Sequence, residues 1–336
     1  MVFDIISDKI VIVFERRAAV KLSLVVPCYN EENNILPFFE ECKKAFGGNI
    51  MSYEIIFVND GSRDGTWRKL KEVYSSGDNI KIVNFSRNFG KEAAMYAGLT
   101  HSEGEYVTII DADLQQSPSL VPVMVDFLDK NREYDSVAMF QEKRREGKFI
   151  SACKKLFYKA ANASLKIDFK PGASDFRTFR RDMVNAVLSI TETNRFSKGI
   201  FSWVGFNTFY MPYTADKRSF GKSSWSFFKL MKYAVNGFVS FSTFPLKISA
   251  VVGFLFAFLS LIYIVVVIIE HFFFNVQPPG YATIVFLLLF MGGLQMIMLG
   301  VTGEYIAQIF IESKHRPLYI EKDYCSKTDN REDTDK

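Results

Sequence analysis

Two stretches without a charged residue, Ile248–Ile269 and Ala282–Gly303, constrain this chain more than any other feature. Inside a bilayer every backbone N–H and C=O must find its partner within the segment, and roughly 20 apolar residues in a helix span the ~30 Å hydrocarbon layer. Both runs are long enough, and together they read as a transmembrane hairpin over 246–311. A buried hairpin in a soluble protein would compete with this reading, and two uncharged runs of this length argue against it. The connecting loop, His271–Tyr281, holds Pro278, Pro279 and Gly280 but no Lys or Arg. Lys229, Lys232 and Lys247 precede the first span; Lys314, Arg316 and Lys322 follow the second. Basic flanks stay in the cytoplasm, so both termini, and the domain that precedes the hairpin, are expected there.

Outside the hairpin the sequence reads as soluble. Hydrophobic residues make up 49% of the chain and are concentrated in 246–311. The formal net charge is only +4, and no basic stripe interleaves with aromatics, which excludes a nucleic-acid partner. Cys28, Cys42, Cys153 and Cys325 are scattered without a CxxC pair, so neither a disulfide framework nor a zinc site is expected. The longest apolar run near the N-terminus, Ile10–Phe14, is followed by Glu15, Arg16 and Arg17, unlike a secretory signal. Residues 1–20 read as an extension, either an extra strand or a loose arm.

From Leu22 short apolar runs alternate with helical periodicity. Leu22–Val26 is continuous and ends at Pro27, the mark of a strand covered on both faces. Further strands are expected at Tyr53–Val58, Ile80–Phe85 and Tyr106–Ile110. Helices are expected at Asn33–Phe46, Thr66–Tyr74 and Lys91–Thr100, the first stopped by Gly47-Gly48. Residues 114–224 read as a mixed second half, helical near Leu120–Lys130 and Phe149–Leu165. Such alternation predicts an α/β fold, a mostly parallel sheet with helices on both faces. Ligands of these sheets sit beyond the carboxyl ends of the strands. Polar clusters fall at those ends: Tyr29-Asn30-Glu31-Glu32, Asp60, Arg87-Asn88 and Asp111/Asp113. Residues 225–245 mix aromatics with Lys229 and Lys232 and read as a helix in the headgroup layer, or else as an ordinary core helix. The tail, 312–336, is charged, and from Cys325 onward it is expected to be disordered.

Asp111-Ala112-Asp113 follows a buried strand directly. Carboxylates at i, i+2 where a strand opens into a loop can converge on one hard cation, although the same spacing occurs in solvated turns. Asp60, before Gly61, can accept from a base N–H or belong to a helix-capping turn with Asp64 or Thr66. Pro27-Cys28-Tyr29-Asn30-Glu31-Glu32 carries the same ambiguity. Asp175-Phe176-Arg177, Arg218, Lys222, Arg144, Arg195 and Lys198 supply charges suited to phosphates or to solvent. His101, His271 and His315 are isolated, and neither GxSxG nor a P-loop is present.

Taken in order, LSLVVPCYNEE (22–32), IIFVNDGSRDGT (55–66), FSRNFGKEAAMYAGL (85–99) and DADLQ (111–115) resemble a family 2 glycosyltransferase of the GT-A fold. SDFRTFRR (174–181), KGIFSWVGF (198–206), RSFGKSSW (218–225), SFSTFPLKI (240–248) and GEYIAQIFIESKHRPLYI (303–320) narrow the resemblance to polyprenyl-phosphate glycosyltransferases, nearest those that glucosylate bactoprenol for O-antigen modification. The resemblance implies a GT-A domain over 21–224 and a UDP-sugar donor. Pro27, Tyr29, Glu31, Asp60, Lys91 and Asp111 would contact that donor. Mg²⁺ or Mn²⁺ would be held by Asp113 and Gln115. Asp111, Asp113, Asp175, Arg177, Arg218 and Lys222 would form the catalytic set, with Arg144, Arg195 and Lys198 as candidates for the acceptor phosphate. Polyprenyl phosphate, membrane lipids, a second copy of the chain and a flippase are the partners it implies, and the inner membrane is the location. Two places depart from the family pattern: Gln116-Ser117-Pro118-Ser119 after DADLQ, and Gln141-Glu142-Lys143-Arg144 where relatives carry a basic pair. A processive synthase would show Gln-x-x-Arg-Trp and more spans. Transfer to a saccharide or lipid-linked oligosaccharide competes with the lipid-phosphate reading, and so does a non-catalytic scaffold. Intact Asp60, Asp111 and Asp113 weigh against the scaffold.

Overall fold

The computed structural model describes residues 20–47, 52–77, 79–141, 173–213, 244–274 and 280–327. The expected extension before Val20, the helix near 149–165 and almost all of the 225–245 segment lie outside them. The chain divides into two units, one built on the sheet and including 317–336, the other including 225–316.

In the first unit, β1 (Leu22–Cys28), β2 (Tyr53–Asn59) and β3 (Ile80–Phe85) alternate with α1 (Ile35–Phe46), α2 (Thr66–Ser76) and α3 (Lys91–Thr100), followed by β4 (Tyr106–Ile109) and α4 (Leu120–Lys130). All four strands are buried along almost their whole length, as continuous apolar runs require. Then come β5 (Ser136–Gln141), β6 (Ala173–Arg180), α5 (Arg181–Leu188), α6 (Ser197–Trp203), β7 (Thr208–Tyr213) and, after the second unit, β8 (Glu321–Ser326). One sheet holds all eight strands in the order β7-β5-β6-β4-β1-β2-β3-β8. Its centre, β4-β1-β2-β3, is parallel. Beyond it the sheet is mixed: β6 runs antiparallel to β4 and β5, and β8 antiparallel to β3. The expected mostly parallel sheet is therefore its central half.

The core lies between β1, β2 and the helices over them, with Phe38, Phe57 and Ile35 fully buried. On the other face α3 approaches β1 so closely that a Cβ on Gly98 would sit 2.2 Å from Val25 Cγ1. Ala93, Ala94 and Ala97 complete this small-residue face, and any larger side chain there would push α3, and Lys91 at its start, off the sheet.

A polar knot closes the amino edge of the sheet. Lys81 and Glu54, both almost fully buried, pair at 2.8 Å, and Glu54 also accepts from the Ser23 hydroxyl (2.6 Å) and the Glu103 N–H (2.8 Å). A buried charge is tolerable only when paired and hydrogen-bonded in this way.

One departure from the sequence expectation is β8. Residues 321–326 lie in the expected charged tail, and Cys325 and Ser326 in its expected disorder, yet they pair with β3 from Lys81 to Phe85. Strand β3 would otherwise present an open edge, and a short charged strand is what sheet edges favour.

The second unit contains α7 (Phe244–Phe274) and α8 (Tyr281–Glu312). Both outrun the expected spans of 248–269 and 282–303, and α7 extends through His271–Phe274 of the expected loop. Windows at Leu246–Tyr263 and Phe286–Glu312 have mean hydropathies of 2.1 and 1.8 and none of their residues buried. Phe254 and Leu288 are 75% and 68% exposed, so the apolar surface faces outward, which suits lipid rather than a core. Phe256 and Phe290 meet across the pair at 5.8 Å. The two helices are long and apolar enough to cross a membrane.

Candidate active site

The carboxyl ends of the parallel strands carry Tyr29, Glu31, Asp60, Asp111 and Asp113 of the expected site, and hydrogen bonds lace their loops together. After β1, Asn30 takes a left-handed conformation (φ 56°), which Asn tolerates. Its N–H donates to Ser62 Oγ (2.9 Å) and its side-chain oxygen accepts from the Arg63 N–H (2.9 Å). The Glu31 N–H donates to Thr66 Oγ1 at 2.8 Å, and Glu32 accepts from the Gly65 N–H at 3.0 Å. Thus the first two loops form one wall. Tyr29 stands 43% exposed on it, half-buried Pro27 lies one turn of the pleat below, and the Glu31 carboxylate accepts from the Asn34 amide.

Asp60 is the hinge between this wall and the loop after β3. It is 2% exposed and accepts from the Phe89 N–H (2.6 Å), the Gly90 N–H (3.0 Å) and the Asn88 amide (3.0 Å). Burial raises its pKa, and the two backbone N–H groups work against that rise. Gly61 makes the approach possible. It sits at φ +59°, and a Cβ there would lie 2.3 Å from the Arg87 carbonyl carbon.

The charged centre is drawn from four elements. Lys91, first residue of α3, places Nζ 2.6 Å from Asp111 beyond β4 and 3.1 Å from Asp175 on β6. Lys198, near the start of α6, lies 3.7 Å from the other oxygen of Asp175. A lysine at a helix N-terminus opposes the helix dipole. The Lys91 side chain is 41% exposed; the groups crowded around it strip some of its water, but Asp111 and Asp175 outweigh that loss and hold the pKa well above the ordinary lysine range. Burial would conversely raise Asp175; Lys91 and Lys198 overcome it and hold the carboxyl well below the usual carboxylate range. Glu92 fixes the far side by accepting from the Ser197 N–H at 3.0 Å, which tethers α6 and so Lys198.

Beyond Asp111 the chain turns sharply. Leu114 adopts φ 57°, a conformation rare for a bulky residue and concentrated at functional sites. Asp113, 8% exposed, accepts from the Gln115 N–H at 3.2 Å. Gln116 donates to Ser174 Oγ at 3.0 Å, binding this loop to β6. Among the described residues no three His, Cys, Asp or Glu side chains form a ready metal cage. Asp113 and Gln115 instead offer an incomplete, oxygen-only set. That fits Mg²⁺ or Mn²⁺, which keep water and substrate phosphates in their shells.

Two of the expected cations, Arg177 of the catalytic set and the acceptor-phosphate candidate Arg195, are buried among aromatic rings. Arg177 is 3% exposed beside Asp175, its guanidinium 4.9 Å above the Phe201 ring, and burial lowers its pKa. Its Nε has no hydrogen-bond partner. Arg195 donates to the Ile190 and Val187 carbonyls that end α5 and lies 4.5 Å over Tyr96, which makes it a helix-capping and packing group. Arg144, Arg218 and Lys222 lie outside the described residues. Asn88 belongs to a polar cluster expected at the strand ends, and its amide donates to Asp60. Glu92 and Ser62 are not singled out by the sequence; each acts through a hydrogen bond to a distant segment, which no local motif reveals.

Residues 23–188 match the family described as Glycosyl transferase family 2, and 244–309 match the GtrB C-terminal hairpin. The chain is 40% identical to the glycosyltransferase sll0501 of Synechocystis over 90% of its own length and 95% of that protein's. It is 36% identical to the bactoprenol glucosyl transferase of Shigella phage SfV, over 90% and 98% of the two chains. Among solved structures, glucosyl-3-phosphoglycerate synthase from Mycobacterium tuberculosis with Mn²⁺, UDP and phosphoglyceric acid is similar at 18% identity and a TM-score of 0.46, covering 64% of this chain and 75% of that one. With such identity held over nine-tenths of its length, the chain belongs to glycosyl transferase family 2 and is a GT-A glycosyltransferase carrying an apolar C-terminal hairpin.

Proposed function

We propose that this enzyme transfers glucose from UDP-glucose to a polyprenyl phosphate at the cytoplasmic face of the inner membrane, with inversion at the anomeric carbon, to supply cell-surface glycan modification. The observation that carries the reading is the alternation of charge at the end of β4 and β6: Lys91 between Asp111 and Asp175, with Lys198 behind. A site that joins two anionic substrates needs cations held in place. Asp111 and Asp175 fix Lys91 and Lys198 here, and net positive charge would have to come from a bound divalent cation and further basic residues. The naming of relatives for bactoprenol, a polyprenol, and the two apolar helices support a lipid acceptor.

In this reading the Tyr29–Glu31 wall and Asp60 receive the uridine, and Asp111 with Lys91 faces the diphosphate. A divalent cation at Asp113 and Gln115 would neutralise charge on the departing UDP. An acceptor phosphate is largely ionised near neutral pH, its second pKa being about 6, so its oxygen attacks with little help from a base. Asp175 holds Lys91 and Lys198 in place, and Arg218, Lys222 and Arg144 are proposed for the acceptor phosphate. Lys229, Lys232, Lys247, Lys314, Arg316 and Lys322 anchor both hairpin ends in the cytoplasm.

The test is purified protein in detergent with Mg²⁺, undecaprenyl phosphate and a panel of radiolabelled UDP-sugars, counting the lipid extract. Label from UDP-glucose entering the organic phase, and lost with EDTA, supports the reading. Label remaining in water for every donor, with folded protein, overturns it.

A further inference from the structure

We infer that the segment following the second apolar helix, from Tyr319 to Asp323, is a positioning element for the nucleotide pocket, an inference that rests on the donor reading above. Two independent routes lead from it to Asp60.

The first is aromatic and backbone. The Ile320 carbonyl accepts the Ser86 N–H at 3.0 Å, and the Tyr319 ring stacks on Phe85 with centroids 4.8 Å apart. Phe85 meets Phe89 edge-on at 5.8 Å, and the Phe89 N–H donates to Asp60 at 2.6 Å. The second route is polar. Asp323 accepts from the Asn84 amide at 2.7 Å, and Asn84 accepts from the Asn59 amide at 2.7 Å. Asn59 in turn accepts the Ser62 N–H at 3.3 Å, in the turn that holds Gly61. The register of β3 against β8 slips between Asn84 and Phe85, where the two routes diverge. Such irregularities commonly re-aim side chains beside active sites. Both walls around Asp60 are thus braced by a segment distant in sequence, and a displacement of about 1 Å in a binding group is costly.

The experiment uses the full chain in detergent, with UDP as probe and two readouts: UDP affinity, and hydrogen exchange of the 86–90 amides. Tyr319→Ala should speed exchange there and weaken UDP about tenfold, while Tyr319→Phe keeps the stack and the affinity. Asp323→Ala should weaken UDP comparably, and Asp323→Asn, which still accepts from Asn84, should restore it. Tyr324→Ala removes the ring stacked on His101 at 4.5 Å, costing strand stability without touching either route, and should leave both readouts unchanged. Wild-type behaviour in Tyr319→Ala and Asp323→Ala, or equal losses in Tyr324→Ala, would overturn the inference and leave β8 as edge cover alone. If wild-type protein binds no UDP, the donor reading fails. Exchange at 86–90 then decides alone: faster in Tyr319→Ala but not Tyr324→Ala sustains the bracing, and equal exchange refutes it.

Discussion

The Lys91 ammonium lies 2.6 Å from the Asp111 carboxylate, although the two residues stand on different elements and a lysine opening a helix opposes the helix dipole. The lysine opens a helix and the aspartate stands in the loop beyond a buried strand, so the pair ties the two elements together.

Removing that cation should expose its purpose. Lys91→Met keeps the length of the side chain but takes the lysine from Asp111 and leaves Asp175 facing Lys198 and Arg177. Preorganised charge facing developing charge contributes most when it cannot be replaced by water, so kcat/KM should fall by about 10²–10³. Steady-state kinetics with donor and acceptor varied separately would show the loss, and a wild-type value would remove Lys91 from the site.

Asp113→Ala should abolish turnover, to less than about 10⁻³ of the parent rate, and EDTA should do the same to the parent. Circular dichroism should be unchanged in both, because Asp113 is bonded within its own loop. Activity that survives EDTA would separate Asp113 from metal binding.

The Glu54–Lys81 pair gives an alkaline prediction. Burial alone would lower the Lys81 pKa, but hydrogen bonds to Glu103 and Glu54 outweigh it, so the folded value is raised. A raised lysine contributes stability below its unfolded value of about 10.4 and loses it as pH rises through the folded value. Thermal unfolding should therefore stay flat to about pH 10 and weaken above it. Glu54→Gln leaves Lys81 paired with Glu103 at 2.8 Å, so it should destabilise by about 1–3 kcal/mol and start the decline at lower pH. An identical pH profile in the variant would show that the pair is not the cause.

Gly61→Ala forces a side chain into the Arg87 carbonyl at an unfavourable φ. A loss of about 2 kcal/mol or more is expected, from strain and clash together, and the donor KM should rise as the 86–90 loop moves. Thermal unfolding and donor kinetics on the same preparation would check both.

Much of this was legible beforehand. Leu22–Val26 and Ile80–Phe85 could only be buried strands, and Asp60 and Asp111 stand at strand ends because that is where such a sheet opens. What escaped was long-range. β6 alternates Asp175, Arg177 and Phe179 on one face, yet its antiparallel pairing with β4 depends on a partner some seventy positions earlier. β8 reads EKDYCS, polar enough to pass for a tail, because an edge strand needs little apolar surface. Arg195 looked like a phosphate ligand since charge is visible in a sequence, whereas the carbonyls it caps are not.

The last strand of the sheet comes after both apolar helices in the chain, and this fixes an order of events during synthesis. While the ribosome is still making the hairpin, β3 has no neighbour on its outer side, and the loop beside Asp60 lacks Tyr319 and Asp323. The eight-stranded sheet can reach its final form only once the hairpin has been made and the chain has returned to meet β3. Completion of the sheet is thereby deferred until both apolar helices have already left the ribosome.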